Sequence, residues 1–349
     1  MTLGLGSWRF LLAFLVVISH LWGGMIHGPA AYAVWGFFVL SGFLMTHVLR
    51  HKYGDSAAGL RDFAFNRILR IFPAYWISCI LGGIAILILP KIGVALSTLN
   101  PQFAWPQGLV GWFGNITLLP LPVGNLLVPV SGALAVEVGA YMLMPLMAFN
   151  RPAAWLGLIL SLLLNAVHGF QPDTFALRYS SFLTAFWVFA FGALISHYQG
   201  HLRRLEAPRL SVIFWLANSL VWLWNDAWPW TYGLYCSVLL SAWVVLSLAT
   251  RRPGRVDGFL GDLSYPIYLF HTVAGAFVWL VVPQERSLLF LALSFGVTLA
   301  VSWLVVVFVD RRIDGLKKRK VFKDLAATPS GLTADTSVAG AHAGAAINK

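Results

Sequence analysis

Residues 288–309 read LLFLALSFGVTLAVSWLVVVFV, a run of 22 residues without a charged side chain. At 1.5 Å per residue, a helix of this length extends about 33 Å, which is enough to cross the hydrocarbon core of a bilayer. A helix on the surface of a soluble domain would carry charged residues along its outer face. The run therefore predicts a transmembrane helix.

The composition of the whole chain also indicates a membrane protein. Of its 349 residues, 59% are hydrophobic and 11% are charged, whereas soluble domains carry about 25% charged residues. The formal net charge of +11 would suggest a nucleic-acid partner in a soluble protein. Because the chain lacks the charge needed to cover a soluble surface, we exclude a nucleic-acid partner and expect a lipid bilayer. Cys79 and Cys236 are isolated in apolar stretches and predict neither a metal site nor a disulfide.

Windows long and apolar enough for a spanning helix occur ten times. They are approximately residues 8–26, 33–50, 68–90, 132–149, 153–170, 180–198, 210–225, 231–249, 263–282 and 288–309. Outside closed barrels, helices are the architecture that satisfies its own backbone hydrogen bonds in lipid. We therefore predict an all-α polytopic bundle of about ten transmembrane spans.

The distribution of cationic residues predicts how the bundle is oriented. With the N-terminus inside, 20 of the 24 Lys and Arg residues fall on the inner side, Arg9 lies within the first span, and only Lys91, Arg178 and Arg286 lie outside. Cytoplasmic segments carry such an excess of Lys and Arg. Both termini are thus predicted to be cytoplasmic, and the protein is expected in a bacterial inner membrane. Residues 1–323 form one membrane-embedded domain with a long extracytoplasmic loop at 91–131, and residues 324–349 are predicted to be a disordered cytoplasmic tail.

Ionisable residues within predicted spans are costly, so each one suggests a function. Arg9 and His20 are eleven residues apart, which places them on one face of the first span and about 16 Å apart along its axis. Glu137 lies about one and a half turns into the fourth span from its outer end, a depth similar to that of His20. The alternatives are snorkelling for Arg9, an interhelical hydrogen bond for His20 and a structural ion pair for Glu137.

Two further groups of residues suggest a site. Arg67 and Arg70 lie at the inner mouth of the third span, and their i,i+3 spacing presents two guanidinium groups on one helix face. Such a pair suits a phosphorylated ligand, although it is also typical of a topology anchor. His271 lies in the ninth span after Ser264, Tyr265 and Tyr268, and there packing is the alternative role.

Taken together, these residues resemble acyltransferase family 3, the integral-membrane O-acyltransferases of bacterial surface sugars and some secreted metabolites. The matching motifs run in family order from residue 6 to about 310. They are Arg-x10-His at Arg9 and His20, Phe-Phe-Val-Leu-Ser-Gly-Phe at Phe37 to Phe43, Arg-x-x-Arg-Ile-x-Pro at Arg67 to Pro73, Glu before Tyr-x-x-x-Pro at Glu137, Tyr141 and Pro145, and Ser-Tyr-x-x-Tyr-x-x-His at Ser264 to His271.

The resemblance implies transfer of an acyl group, usually acetyl from acetyl-CoA, to a hydroxyl of an extracytoplasmic or lipid-linked saccharide. Acyl-CoA would be a donor substrate, and no permanently bound cofactor or metal is expected. His20 would be the general base, with Arg9 and Glu137 as further catalytic residues, and Arg67 and Arg70 would hold the CoA phosphates. Weaker candidates for substrate binding are Ser41, Trp112, Arg178, Tyr265, Tyr268 and His271.

Two other classes of function remain open from the sequence. A proton-coupled transporter or exporter would use Arg9, His20 and Glu137 as a polar relay, but repeat symmetry and paired broken helices, which are typical of transporters, are not evident. A structural assembly subunit would leave the aligned buried charges without a role.

Overall fold

The computed structural model describes residues 4–25, 28–313 and 315, and these residues form an all-helical bundle. Within this part of the chain, ten helices have 13 residues or more. They are α1 (Leu5–Leu21), α2 (Gly28–Val48), α3 (Ala57–Ile88), α6 (Ser131–Phe149), α7 (Arg151–Val167), α9 (Phe182–Leu202), α10 (Pro208–Leu220), α11 (Tyr232–Ala249), α12 (Arg255–Val278) and α13 (Leu288–Val305). Three shorter helices complete the numbering: α4 (Leu96–Leu99), α5 (Gly108–Thr117) and α8 (Phe175–Tyr179).

Each of the ten predicted windows coincides with one of these ten helices, so the all-α prediction is confirmed. Among the residues that the structure describes, six helical segments are long and apolar enough to cross a membrane: Gly28–Tyr53, Ala57–Ile92, Ser131–Phe149, Phe182–Leu205, Tyr232–Ala249 and Leu288–Ile313. Helices α1, α7 and α10 are shorter, and α12 carries more polar residues. The number of ten spans and the cytoplasmic termini therefore remain predictions, and the predicted tail at 324–349 lies outside the described residues.

Contacts between helices fix the direction in which several of them run. The first residues of α1 contact the first turn of α12, and Leu21 at the other end of α1 lies against Gly275. These two helices are therefore parallel. In contrast, α10 and α11 are antiparallel, because Ala207 hydrogen-bonds to Ser247 and Asn218 to Gly233. If successive spans alternate in direction, the first and ninth spans (α1 and α12) should be parallel, and the seventh and eighth (α10 and α11) should be antiparallel. Both arrangements agree with these contacts.

Large apolar side chains cover much of the outside of the bundle. Leu163 on α7, Leu183 on α9 and Leu288 on α13 are each about 60% exposed. Lipid tails are as apolar as these side chains, so an outer surface of this kind is stable in a bilayer and would aggregate in water.

Glycines bring two central helices into close contact. A Cβ atom at Gly42 of α2 would meet the backbone carbonyl of Phe189 in α9, and one at Gly192 of α9 would meet the carbonyl of Val39. Small residues allow the close backbone approach on which helix association in membranes depends. Helix α2 is consequently buried over most of its length.

The long segment between α3 and α6 enters the bundle instead of staying at its surface. Asn115 is buried and accepts a hydrogen bond from the N–H of Leu127, whose carbonyl lies against Gly82 in the C-terminal half of α3. Tyr268 of α12 donates a hydrogen bond of 2.8 Å to the carbonyl of Val130. Non-helical backbone is tolerated at membrane depth only where protein surrounds it. As a result, α6 begins inside the bundle, and this decides where Glu137 lies.

Candidate active site

One cavity gathers most of the residues predicted from the motifs. Its volume is about 390 Å³, and α1, α2, α3, α6 and α12 form its walls. Its polar lining comprises Arg9, Ser41, Arg67, Arg70, Glu137, Tyr141, Ser264, Tyr265 and Tyr268. The apolar lining comes mainly from α2, including Phe37, Phe38, Leu44 and Met45. The cavity can therefore hold a ligand that has both charged and apolar parts.

The carboxylate of Glu137 is held by two hydroxyl groups. Ser41 Oγ donates a hydrogen bond of 2.9 Å to Glu137 Oε1, and the hydroxyl of Tyr141 donates to the same oxygen. Ser41 Oγ and Tyr141 Oη are themselves 3.0 Å apart. Tyr141 was not predicted as a site residue, although its i,i+4 spacing from Glu137 already placed both on one helix face.

Three guanidinium groups line the same cavity as this carboxylate. Arg9 lies among the charged groups of Arg70, Asp262 and Glu137. The guanidinium of Arg67 lies over the ring of Phe63 at 5.8 Å, and its Nε is buried without a hydrogen-bond partner. Three cations against one lining carboxylate make the cavity suitable for an anionic ligand.

Arg70 differs from Arg67 because it forms an ion pair with Asp310. Arg70 Nη1 is 3.3 Å from Asp310 Oδ2, and Asp310 ends the π-helical segment Val306–Asp310 that follows α13. The two residues are 240 positions apart, so the spacing of local motifs did not predict this pair. Its effect is to leave Arg67 as the less engaged of the two guanidiniums of α3 that line the cavity.

Glu137 lies closer to the level of Arg9 than to that of His20, which differs from the depth expected from the sequence. Both Glu137 and Arg9 line the cavity, and His20 does not. The hydrogen bond from Tyr268 fixes Val130 near the level of the histidines, and Glu137 follows seven residues later, about 10 Å along the helix. The inward path of the preceding loop accounts for the difference.

His20 instead lies beside His271. The two ring centroids are 5.3 Å apart and the rings meet edge to face at 69°. His271 is completely buried, and its Nδ1 lies 2.7 Å from the carbonyl oxygen of Tyr268. The ring of Tyr268, which lines the cavity, is 6.2 Å from that of His271. The histidine pair is thus adjacent to the cavity and separated from it by Tyr268.

The hydroxyls of the tyrosines on α12 connect this helix to the backbone of neighbouring segments. Tyr265 donates a hydrogen bond of 2.8 Å to the carbonyl of Ile71 in α3, as Tyr268 does to Val130. Both rings nevertheless line the cavity. The two residues therefore shape the cavity while their hydroxyls hold its walls together.

Arg178 and Trp112 lie outside the cavity. Arg178 is fully buried and donates to the carbonyls of Trp230 and Gln171 and to the hydroxyl of Tyr235, a set of bonds that occupies its guanidinium. Trp112 lies on α5 with its ring 5.8 Å from that of Trp105, and it is 40% exposed. The structure does not bring either residue together with the other predicted site residues.

The described residues include no group of three or more His, Cys, Asp or Glu side chains that could hold a metal ion. The chemistry available at the site is that of arginines, hydroxyl groups, one carboxylate and two imidazoles. Imidazole is the side chain whose ordinary pKa best suits proton transfer near neutral pH.

Comparison with known proteins agrees with this set of residues. A family model described as an acyltransferase domain matches residues 3–307. The chain is 26% identical over 316 residues to Nodulation protein 10 of Rhizobium leguminosarum bv. viciae, a match that covers 75% of this chain and 80% of that protein. No solved structure matches the chain. The resemblance seen in the motifs is thereby confirmed, and the chain belongs to acyltransferase family 3, whose members are membrane acyltransferases.

Proposed function

We propose that this acyltransferase moves an acyl group, with acetyl as the first choice, from acyl-CoA to a hydroxyl of an extracytoplasmic or lipid-linked saccharide. The observation that carries the proposal is the convergence of Arg9, Arg67 and Arg70 on one cavity beside the His20–His271 pair. Phosphate groups are strong ligands for guanidinium forks. CoA carries its thioester and its phosphates on one molecule, so it suits a cavity with this charge.

The donor would lie with its phosphates at Arg67 and Arg70 and its pantetheine arm along the apolar wall of α2. Arg67 is available for a phosphate because its Nε has no partner, whereas Arg70 would exchange Asp310 for one. Both arginines are on the predicted cytoplasmic side, where CoA is found. The thioester would then point toward Tyr268 and the histidines.

In a direct transfer, the hydroxyl oxygen of the acceptor attacks the carbonyl carbon of the thioester while His20 takes the hydroxyl proton. The C–S bond breaks, and the CoA thiolate receives that proton from the imidazolium of His20. The products are an O-acyl ester and the free thiol of CoA. General-base assistance of this kind contributes about 10²–10⁴ in rate.

Glu137 has a different part in this proposal from the one expected from the sequence. Its carboxylate is engaged by Ser41 and Tyr141 and lies in the electrostatic neighbourhood of Arg9. We therefore assign it the role of holding Arg9 toward the donor, not that of orienting His20. Arg9 would then stabilise negative charge on the donor as the thioester reacts.

The proposal is tested with acetyl-CoA labelled with ¹⁴C in the acetyl group, added to native membranes that contain the protein. We expect alkali-labile label in the saccharide or lipid-linked saccharide fraction. In the Arg67→Ala, Arg70→Ala double variant the label should fall at least tenfold, because each charged hydrogen bond is worth about 1.5–3 kcal/mol. Arg61→Ala is the matched control, since Arg61 is an exposed arginine of α3 outside the cavity.

The same assay separates acyl transfer from the transporter hypothesis, which family membership does not favour. A transporter would accumulate label inside sealed vesicles, and this accumulation would require a proton gradient. The accumulated label would not be bound as an ester. That outcome, without ester formation, would contradict the proposed function.

A further inference from the structure

The tautomer of His271 is fixed by its own helix. Its Nδ1 lies 2.7 Å from the carbonyl oxygen of Tyr268 and 3.3 Å from that of Ile267. A carbonyl oxygen can only accept a hydrogen bond, so the Nδ1 of His271 carries the proton. In a neutral imidazole the other nitrogen is then an acceptor. The Nε2 of His271 is therefore a hydrogen-bond acceptor.

This acceptor is buried and unused. His271 Nε2 has no hydrogen-bond partner, and its side chain is 0% exposed. A buried polar atom without a partner costs about 1–3 kcal/mol, so such atoms in native proteins call for an explanation.

The ring of His20 lies at the distance that would use this acceptor. Two imidazoles joined by an N–H···N bond of about 2.9 Å, with each nitrogen about 1.2 Å from its ring centre, have centroids about 5.3 Å apart. The observed separation is 5.3 Å, with the rings edge to face. The bond itself is not formed in this structure, in which His271 Nε2 has no partner, and catalytic hydrogen bonds often tighten only when substrate binds.

The register of the two helices keeps this separation fixed. At one end, Asp257 of α12 accepts hydrogen bonds from Gly6 and Ser7 of α1. At the other end, Gly275 of α12 lies against Leu21. Because both contacts join the same pair of parallel helices, His20 and His271 face each other between two fixed points.

We propose that His271 is a positioning residue that accepts a hydrogen bond from an N–H of His20. This bond selects the tautomer of His20 whose other, unprotonated nitrogen takes the proton of the saccharide hydroxyl. The inference rests on the proposed function. When His20 takes the hydroxyl proton it becomes an imidazolium with both nitrogens protonated, and the N–H that faces His271 keeps its acceptor. His20 returns the gained proton to the CoA thiolate, so His271 stays neutral throughout. A histidine therefore takes the orienting position that a carboxylate occupies in hydrolase triads.

Two amide substitutions separate this role from a structural one. In His271→Gln an amide group reaches the position of Nε2, whereas in His271→Asn it reaches only the position of Nδ1. We expect His271→Gln to keep kcat for acetyl transfer within about tenfold of the native value. His271→Asn and His271→Ala should lose about a hundredfold or more in kcat, with KM for acetyl-CoA changed less than about threefold. If the hydrogen bond from Nδ1 to the Tyr268 carbonyl were the important one, His271→Asn would have a higher kcat than His271→Gln. That result would overturn the proposal.

A double-mutant cycle provides the second measurement. Residues that act as a unit are not additive, so His20→Ala combined with His271→Ala should lose no more activity than the worse single variant. Additive losses would contradict the proposal. It would also be contradicted if His20→Ala were active and His271→Ala inactive, because His271 would then be the base itself. Thr272→Val is the matched control, because Thr272 is the neighbouring buried residue and its hydroxyl has no partner.

The same preparations distinguish this proposal from the proposed function. Each variant is purified in detergent and checked for native thermal stability and for binding of CoA, which must be retained for its kinetics to count. If the native protein forms no acetyl ester at all, the proposed function fails. If the native protein forms the ester and the Gln, Asn and Ala variants are equally active, only the role of His271 fails.

Discussion

The carboxylate of Asp257 accepts hydrogen bonds from both the backbone N–H and the hydroxyl of Ser7, each at 2.7 Å. An N-terminal cap normally comes from the residue that precedes the helix, yet Gly4 at the start of α1 has no side chain to provide one. A residue 250 positions away supplies the acceptor instead. Since α1 carries Arg9 and His20 and α12 carries His271, this one carboxylate sets the register of the site.

Removing this cap should destabilise the protein and misplace the histidines. We expect Asp257→Ala to lower the free energy of unfolding by about 1–3 kcal/mol, because two partly buried N–H donors and a hydroxyl lose their acceptor. Asp257→Asn keeps one acceptor oxygen and should lose less. The measurement is the melting temperature in detergent, with Asp226→Ala, an exposed loop aspartate, as the control. Equal melting temperatures for Asp257→Ala and Asp226→Ala would show that the cap is dispensable.

The helices of this fold could be predicted from the sequence because an apolar window is a local property. All ten windows contain a helix, and the motifs on α1, α2, α3, α6 and α12 contribute residues to one cavity. The depth of Glu137 could not be predicted in this way. It depends on the loop before α6 entering the bundle, and that path is fixed by contacts of Asn115 and Tyr268 with distant backbone.

Contacts between residues far apart in the chain were the other unpredicted part of the site. Asp257 and Asp310 contribute carboxylates across more than 200 residues, and hydropathy carries no information about such partners. The pairing of His20 with His271 is of the same kind. Each histidine was recognised as a costly polar residue in an apolar span, but only the packing of α1 against α12 brings them together.

The hydrogen bonds to Glu137 predict a graded set of variants. Glu137→Gln keeps the size of the side chain and removes its charge, so Arg9 loses a counter-ion and kcat/KM should fall about 10- to 150-fold, equivalent to about 1.5–3 kcal/mol. Tyr141→Phe removes one donor to a carboxylate that keeps Ser41, and its loss should be smaller. Steady-state kinetics of acetyl transfer measure both. A larger defect in Tyr141→Phe than in Glu137→Gln would contradict the role assigned to the carboxylate.

The ion pair between Arg70 and Asp310 predicts opposite effects on the donor. Asp310→Asn weakens a competitor for Arg70, so CoA should bind more tightly, by no more than about fivefold because a partly exposed ion pair is worth about 0–1 kcal/mol. Arg70→Ala should weaken CoA binding at least tenfold. Equilibrium binding of CoA to the purified protein measures both, with Arg61→Ala as the unchanged reference. Weaker binding in Asp310→Asn would mean that the pair organises the site instead of competing with the donor.

The placement of 20 cationic residues on one side and three on the other predicts a cytoplasmic C-terminus. A C-terminal fusion to a reporter that is active only in the periplasm should therefore be silent, whereas a cytoplasmic reporter at the same position should be active. The opposite result would reverse the sidedness of the site and place Arg67 and Arg70 away from the CoA pool.

The chemical step is tested most directly at His20. His20→Ala removes the proposed base, and general-base catalysis contributes about 10²–10⁴ in rate, so acyl transfer to the native acceptor should slow by about that factor. CoA binding should persist, because His20 does not line the cavity that holds the arginines. Arg9→Lys keeps the positive charge and loses the forked guanidinium group, so it should instead lower kcat/KM for acetyl-CoA. Acylation in membranes from His20→Ala cells at close to the native rate would remove His20 as the base and transfer that role to another group at the site, with His271 as the first to be tested.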